Sequence, residues 1–279
     1  MNWVRSLNRA IEYIEDNLLE ELTCGAIARA AYLSSAHFQR AFNLLTGMTV
    51  GEYIRSRRLT LAGHELAAPG AKVIDVALKY GYETPESFSK AFTRFHGATP
   101  MQAKKGGVTL KSFHRLTIKM IMEGGGIMDY RIEQMDAFEV VVKAKMFTAE
   151  FSTPEVPAFW GEYFDAGLAK VVPPALGVCG EDVPGGSQFR YGIGCRREQV
   201  GAVPDGFEVW AIPAGTWAVF TCVGAMPAAI QNQWKRIYAE WLPQAEYQMI
   251  PGYDFEYYPE GDLDLPDYVS EICIRVKEK

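Results

Sequence analysis

One apolar pattern occurs twice, fifty positions apart, and it restricts the first hundred residues to a repeated helical unit. Phe38, Ala41, Phe42 and Leu45 carry the first copy, and Phe88, Ala91, Phe92 and Phe95 the second, both spaced i, i+3, i+4, i+7. That spacing sets four apolar side chains on one helical stripe. A second stripe is left for solvent or a ligand: Ala36, Gln39, Arg40 and Asn43 in the first copy, Glu86, Ser87, Lys90 and Arg94 in the second. Each copy follows a shorter apolar segment, Ile27-Ala28 or Val76-Ala77, and a polar N-cap, Ser34 or Thr84, with Pro85 at the first helical position of the second. Helix, tight turn and capped second helix describe a helix-turn-helix, here present twice.

The surrounding segments support a double reader of duplex DNA. Trp3, Leu7, Ile11, Ile14 and Leu18 predict a first helix that packs, while its acidic face (Glu12, Glu15, Asp16, Glu20) repels phosphate and lies away from the duplex. Thr49 and Glu52 form a capping box that opens a helix through Leu66, ended by Ala67 to Gly70. A rod of about 16 residues, roughly 24 Å long, holds the two readers near one DNA turn apart. One monomer then spans two successive major grooves, so a monomer is the expected acting form.

Charge assigns the polyanion to this half. Residues 1–107 hold 13 Lys+Arg against 10 Asp+Glu, and residues 108–279 hold 15 against 24. The expected DNA-binding residues are Ser35, Ala36, Gln39 and Arg40 in the first reader, and Glu86, Ser87, Lys90 and Arg94 in the second. Gln39 suits adenine and Arg40 guanine; Glu86 is unfavourable near phosphate unless it accepts from a cytosine amino group. Arg55 and Arg57, with Arg58, are expected to touch phosphates rather than bases, or to stay solvated.

These residues resemble the AraC/XylS transcription regulators. The likeness rests on Ile27-Ala28, Phe38-Gln39-Arg40-Ala41-Phe42, Gly47, Tyr53-Ile54-Arg55, Val76-Ala77, Tyr80-Gly81-Tyr82, Ser87 to Phe92 and Gly97 to Pro100. It implies an all-α double helix-turn-helix domain over residues 1–107, base contacts from Gln39 and Arg40, and RNA polymerase as a further partner. Ala36 stands where relatives often carry a larger side chain, limiting its contact to a thymine methyl.

Beyond Gly106-Gly107 the period changes to two. Leu116, Ile118, Met120 and Met122 alternate with polar residues and predict a strand, turned by Gly124 to Gly126. Further strands are expected at Tyr130 to Ile132, Phe138 to Ala144, Leu176 to Cys179, Phe189 to Cys195, Phe207 to Ile212, Trp217 to Cys222, Tyr253 to Tyr258 and Val269 to Val276. Two aromatic-rich helices, about Pro157 to Leu168 and Pro227 to Trp241, interrupt them. One helix per half of an antiparallel sheet predicts a pseudo-duplicated α+β domain over residues 108–279.

Period-two alternation puts Glu256 on the face of Asp254 and Tyr258, opposite Phe255. A buried carboxylate among rings attracts a lipophilic cation. Tyr and Trp also populate any core, and an acid at a strand end is usually solvated, so the residues alone leave both readings open. The order of elements resembles the GyrI-like effector-binding domain, on Tyr130-Arg131-Ile132-Glu133, Pro157 to Trp160, Tyr191-Gly192-Ile193, Ile212 to Gly215, Ile237 to Pro243, Phe255-Glu256, Asp267-Tyr268 and Glu271-Ile272. The resemblance implies a pocket for a small, lipophilic or cationic effector, as in multidrug-responsive regulators. Glu256 is its central acid, and Trp160, Tyr191, Trp217, Trp234, Tyr258 and Tyr268 are its candidate walls.

Two other functions remain open: a β domain that recruits a protein partner without a ligand, and a GyrI-like hydrolase fused to a DNA-binding domain. No Gly-x-Ser-x-Gly, metal cluster or cofactor motif is present, so no enzyme, metal or cofactor is expected. Five scattered cysteines read as reduced core thiols, and no run approaches the ~20 apolar residues of a membrane span, giving the expectation of a cytoplasmic protein without a membrane partner.

Overall fold

The computed structural model describes residues 3–33, 35–118, 128–148, 152–182 and 188–279. Its first part is helical: α1 (Trp3–Asp16), α2 (Cys24–Ala30), α3 (Ser35–Thr46), α4 (Val50–Leu66), α5 (Val73–Lys79), α6 (Pro85–His96) and α7 (Pro100–Lys105). Local chemistry sets their starts. Thr23, Thr49, Thr84 and Thr99 each accept a hydrogen bond from a first-turn amide, and Glu52 and Gln102 complete capping boxes. Each helix-turn-helix closes through one left-handed residue, Gly81 at φ 81° in the second and Tyr32 at φ 59° in the first. The Ser34 cap expected for α3 lies outside the described residues.

The two helix-turn-helices are buried differently. The second has its own core of Leu59, Val76, Phe88 and Phe92. The first, built on α1 to α3, shares one continuous core with the β domain, including Phe38, Phe42, Ile230, Trp234, Ile237 and Ile274. Trp3 stacks on Tyr238 at 5.3 Å, and Tyr238 stacks on Trp234 at 5.5 Å.

The segment after α7 corrects an expectation. Residues 108–118 form no strand; they run as a strap across the helices. The amides of Lys111, Phe113, Leu116 and Ile118 donate to His96 Nδ1, Thr60 Oγ1, the Tyr53 hydroxyl and Asn8 Oδ1 at 2.9–3.3 Å. With these groups held by helix side chains, the alternation around Leu116 has no sheet to join. The rest of that expected strand, with Met120, Met122 and the Gly124 to Gly126 turn, lies outside the described residues.

His96 anchors the strap. Its Nδ1 accepts from Lys111, so Nε2 carries the proton toward the Leu59 carbonyl at 2.9 Å, and burial holds its pKa below the ordinary 6.5. The unfolded chain therefore binds this proton more readily. The neutral ring's contribution is complete above pH 6.5 and is lost as pH falls from there through the lower native value. Thermal melts of wild type and His96→Asn from pH 7.5 to 5 should show a smaller loss on acidification for the variant; parallel losses would contradict this.

The second part is one eight-stranded antiparallel sheet of β1 (Tyr130–Met135), β2 (Phe138–Thr148), β3 (Leu176–Asp182), β4 (Gln188–Arg196), β5 (Glu208–Ile212), β6 (Gly215–Val223), β7 (Tyr247–Tyr257) and β8 (Val269–Glu278), in the order β1-β6-β8-β7-β3-β4-β2-β5. Helix α8 (Ser152–Asp165) follows β2. Helix α9 (Ala228–Arg236) follows β6 and continues through one π turn, Ile237–Trp241. Exchanging β1 to β4 with β5 to β8 reverses the strand order, so the halves are related by a pseudo-twofold between β3 and β7. The expected duplication is present. The register Gly177↔Glu256 sets the central acid at that junction.

Candidate functional site

Strand parity decides which side chains meet under α8 and α9. Asp254 and Glu256 point to the helix side and are 2% and 9% exposed. Phe255 points to the other face, where it packs on Trp217 at 5.1 Å between ring centroids. Trp217 therefore belongs to the opposite core, with Val219 and Cys273, and is no wall of the pocket. Tyr268 is also displaced from its expected place: its hydroxyl donates to the Pro259 carbonyl at 2.7 Å and pins the loop between β7 and β8.

Glu256 is held by neutral donors. Trp234 Nε1 donates to Oε1 at 2.7 Å, and the Tyr258 and Tyr191 hydroxyls donate to Oε2 at 3.0 and 3.1 Å. Trp160 Nε1 donates in turn to the Tyr191 hydroxyl at 3.1 Å. The four expected aromatic walls Trp160, Tyr191, Trp234 and Tyr258 thus converge on the acid. Burial, reinforced by the Glu256 charge, pushes the Tyr191 and Tyr258 phenols well above their ordinary pKa, so both remain donors.

Around this carboxylate lies a cavity of about 370 Å³, lined also by Val156 and Phe164 of α8, Ile230 of α9, and Met226 and Leu263 of the adjoining loops. Its size and its apolar lining with a few convergent polar groups suit a small organic ligand. Gly177 makes room for it. A Cβ there would stand 2.1 Å from the Tyr191 hydroxyl and 3.1 Å from Glu256 Oε2 and from Trp160. A glycine on a strand reads as a generic weak point, and only the β3–β7 register reveals what it faces.

The first reader forms part of the pocket wall. Arg40, Asn43 and Leu44 of α3 line the cavity. The Arg40 guanidinium lies 4.4 Å from the Trp234 ring centroid and 3.2 Å from Asp254 Oδ1. His37 Nε2 stands 2.8 Å from Asp254 Oδ2. Burial acts to raise the Asp254 pKa, but the charge of Arg40 and the hydrogen bonds from His37 and Arg40 outweigh it and hold it below the ordinary value. Ser35 and Gln39 are buried as well, Gln39 Nε2 donating to Ser35 Oγ at 2.9 Å. The polar stripe of α3 is thus turned into the protein in this conformation. The side chain of Ala36 lies outside the described residues.

The second reader is open. Glu86, Ser87, Lys90 and Arg94 of α6 are exposed, and so is Arg55 of α4. Glu86 sits in the first turn of α6, where a carboxylate also favours the helix dipole. Arg57 departs from the expected phosphate contact or solvation: its Nε and Nη2 grip Glu15 at 2.7–3.1 Å and Nη1 donates to the Phe113 carbonyl. Arg58 is likewise occupied, donating to the carbonyls of Leu18 and Glu20 at 2.7 and 2.8 Å. Both arginines tie the connecting helix to its neighbours.

Two helix-turn-helices joined to a pocketed, pseudo-twofold β domain define a DNA-binding regulator with a small-molecule domain. The GyrI-like small molecule binding domain matches residues 128–277, and a helix-turn-helix domain matches residues 27–106. The chain belongs to the AraC-type transcription regulators that carry a GyrI-like small-molecule-binding domain. Regulatory protein SoxS of Salmonella typhimurium is 34% identical over 100 residues, 36% of this chain and 94% of SoxS. Transcriptional regulator Rob of the same organism is 23% identical over 278 residues, 91% of each chain. The structure of SAV2435 bound to tetraphenylphosphonium is similar at 20% identity and TM-score 0.48, over 54% of this chain and 94% of that one.

Among the described residues no helix is long and apolar enough to cross a membrane, and no group of three or more His, Cys, Asp or Glu side chains is placed to hold a metal ion.

Proposed function

We propose that the chain is an effector-controlled regulator whose pocket takes a small lipophilic organic cation, with DNA read by α6 and α3. The observation that carries this reading is a carboxylate, Glu256, supported by three neutral donors inside an aromatic cavity. Neutral donors stabilise the charge without cancelling it. A bound cation then gains both a charge partner and ring faces, whereas a neutral ligand of the same outline gains only burial.

The function divides within the linker after α7, residues 1–107 serving DNA and residues 108–279 the effector. One chain carries both readers, which supports a monomer as the acting form and RNA polymerase as the partner it acts on. Five free, buried cysteines fit a reducing cytoplasm.

Calorimetric titration with (naphthylmethyl)trimethylammonium and its neutral tert-butyl isostere tests the ligand class. The cation should bind about tenfold tighter or more, about 1.4 kcal/mol. Equal affinities would contradict it.

A further inference from the structure

The pocket already holds a cation, and that cation comes from the DNA-reading half. Arg40 lies over the indole of Trp234, the same indole whose N–H holds Glu256 at 2.7 Å. Its guanidinium is fixed by Asp254, a carboxylate 2% exposed and 214 positions away in sequence. The second helix of a helix-turn-helix enters the major groove with its polar stripe. On α3 that stripe faces the β domain, while on α6 it faces solvent. We propose that duplex DNA and the β-domain pocket are mutually exclusive partners of α3, and that an organic cation entering the pocket displaces Arg40 and frees α3 to read DNA.

The proposal rests on the cationic reading of the pocket and adds its consequence. A cation over Trp234 takes the ring face that Arg40 occupies and repels the guanidinium, so it binds better when α3 is undocked. A neutral ligand repels nothing, rests against Leu44, and favours the docked form. The sign of the effect on DNA binding thus follows ligand charge, and linkage requires DNA to raise the cation's affinity by the same factor that the cation raises DNA affinity. The docked chain reads one major groove through α6, and the undocked chain reads two. The contact on DNA should therefore lengthen by about one helical turn, roughly 10 bp.

The test uses the full chain, a duplex it selects from a random pool, and hydroxyl-radical footprinting with (naphthylmethyl)trimethylammonium or its tert-butyl isostere. The cation should lengthen the footprint by about 10 bp and tighten DNA binding about tenfold, and the isostere should do neither. Asp254→Asn, which removes the carboxylate holding Arg40 and keeps Glu256, should give the long footprint without ligand. Hydrogen exchange on wild-type protein reads the same event without a variant, with α3 amides exchanging faster when the cation is added. Cation binding by calorimetry with an unchanged footprint, or with slower exchange in α3, overturns the displacement and leaves the ligand class standing. Absence of calorimetric binding by the cation overturns the ligand class, and the trigger with it.

Discussion

Gly177→Ala is expected to cripple effector binding while leaving the DNA-reading helices folded. The added methyl would stand 2.1 Å from the Tyr191 hydroxyl, so that ring has to move. Tyr191 is 2% exposed, packs edge-on against Phe147 and walls the cavity, so a shift of its ring comes at the expense of the ligand's space. Displacing the hydroxyl breaks its bond to Glu256 and the Trp160 bond it accepts, and the methyl takes cavity volume from the ligand. Overpacking of this kind costs about 1 to 3 kcal/mol of stability, and the loss of a shaped wall should weaken a cavity ligand about a hundredfold. Far-UV circular dichroism should stay near wild type while calorimetry with the cationic probe shows little heat. Wild-type affinity in Gly177→Ala would mean that the ligand site lies elsewhere.

Arg57→Ala carries the second large effect, and it concerns stability. Glu15 is 10% exposed and is held by Arg57 through three hydrogen bonds and by the Tyr53 hydroxyl at 2.7 Å. Burial acts to raise the Glu15 pKa, and Arg57 and Tyr53 together bring it below the ordinary value. Removing the guanidinium leaves that carboxylate with one neutral donor and releases the Phe113 carbonyl of the strap. A loss of about 2 to 3 kcal/mol follows, read as a lower denaturant midpoint at unchanged slope. A mere phosphate contact predicts instead unchanged stability and a uniform loss of DNA affinity.

What the sequence reveals and what it hides follow from the range of the interactions. Helical spacing and caps depend on residues within one or two turns, so α3, α4 and α6 are readable, as is the exposure of Lys90 and Arg94. Period two places Asp254 and Glu256 on one face without reference to any other strand. It does not say that the face of Trp217 is the opposite one, because that depends on the β6–β8–β7 register. Nor does a polar stripe announce its partner: Gln39 and Arg40 look like solvent- or DNA-facing residues until Asp254, far along the chain, is brought against them. The strap fails for a related reason. Its apolar alternation suits a strand, but His96, Thr60, Tyr53 and Asn8 supply the hydrogen bonds that a neighbouring strand would have given.

If the charge of Glu256 selects the ligand, Glu256→Gln, which keeps the shape and removes the charge, isolates that selection. Calorimetric titration of wild type and Glu256→Gln with (naphthylmethyl)trimethylammonium and its tert-butyl isostere compares the four affinities directly. The cation should lose about 2 to 3 kcal/mol, roughly 30- to 150-fold, and the isostere less than about threefold. Equal losses for the two ligands would make Glu256 a structural residue of the pocket wall and contradict the account.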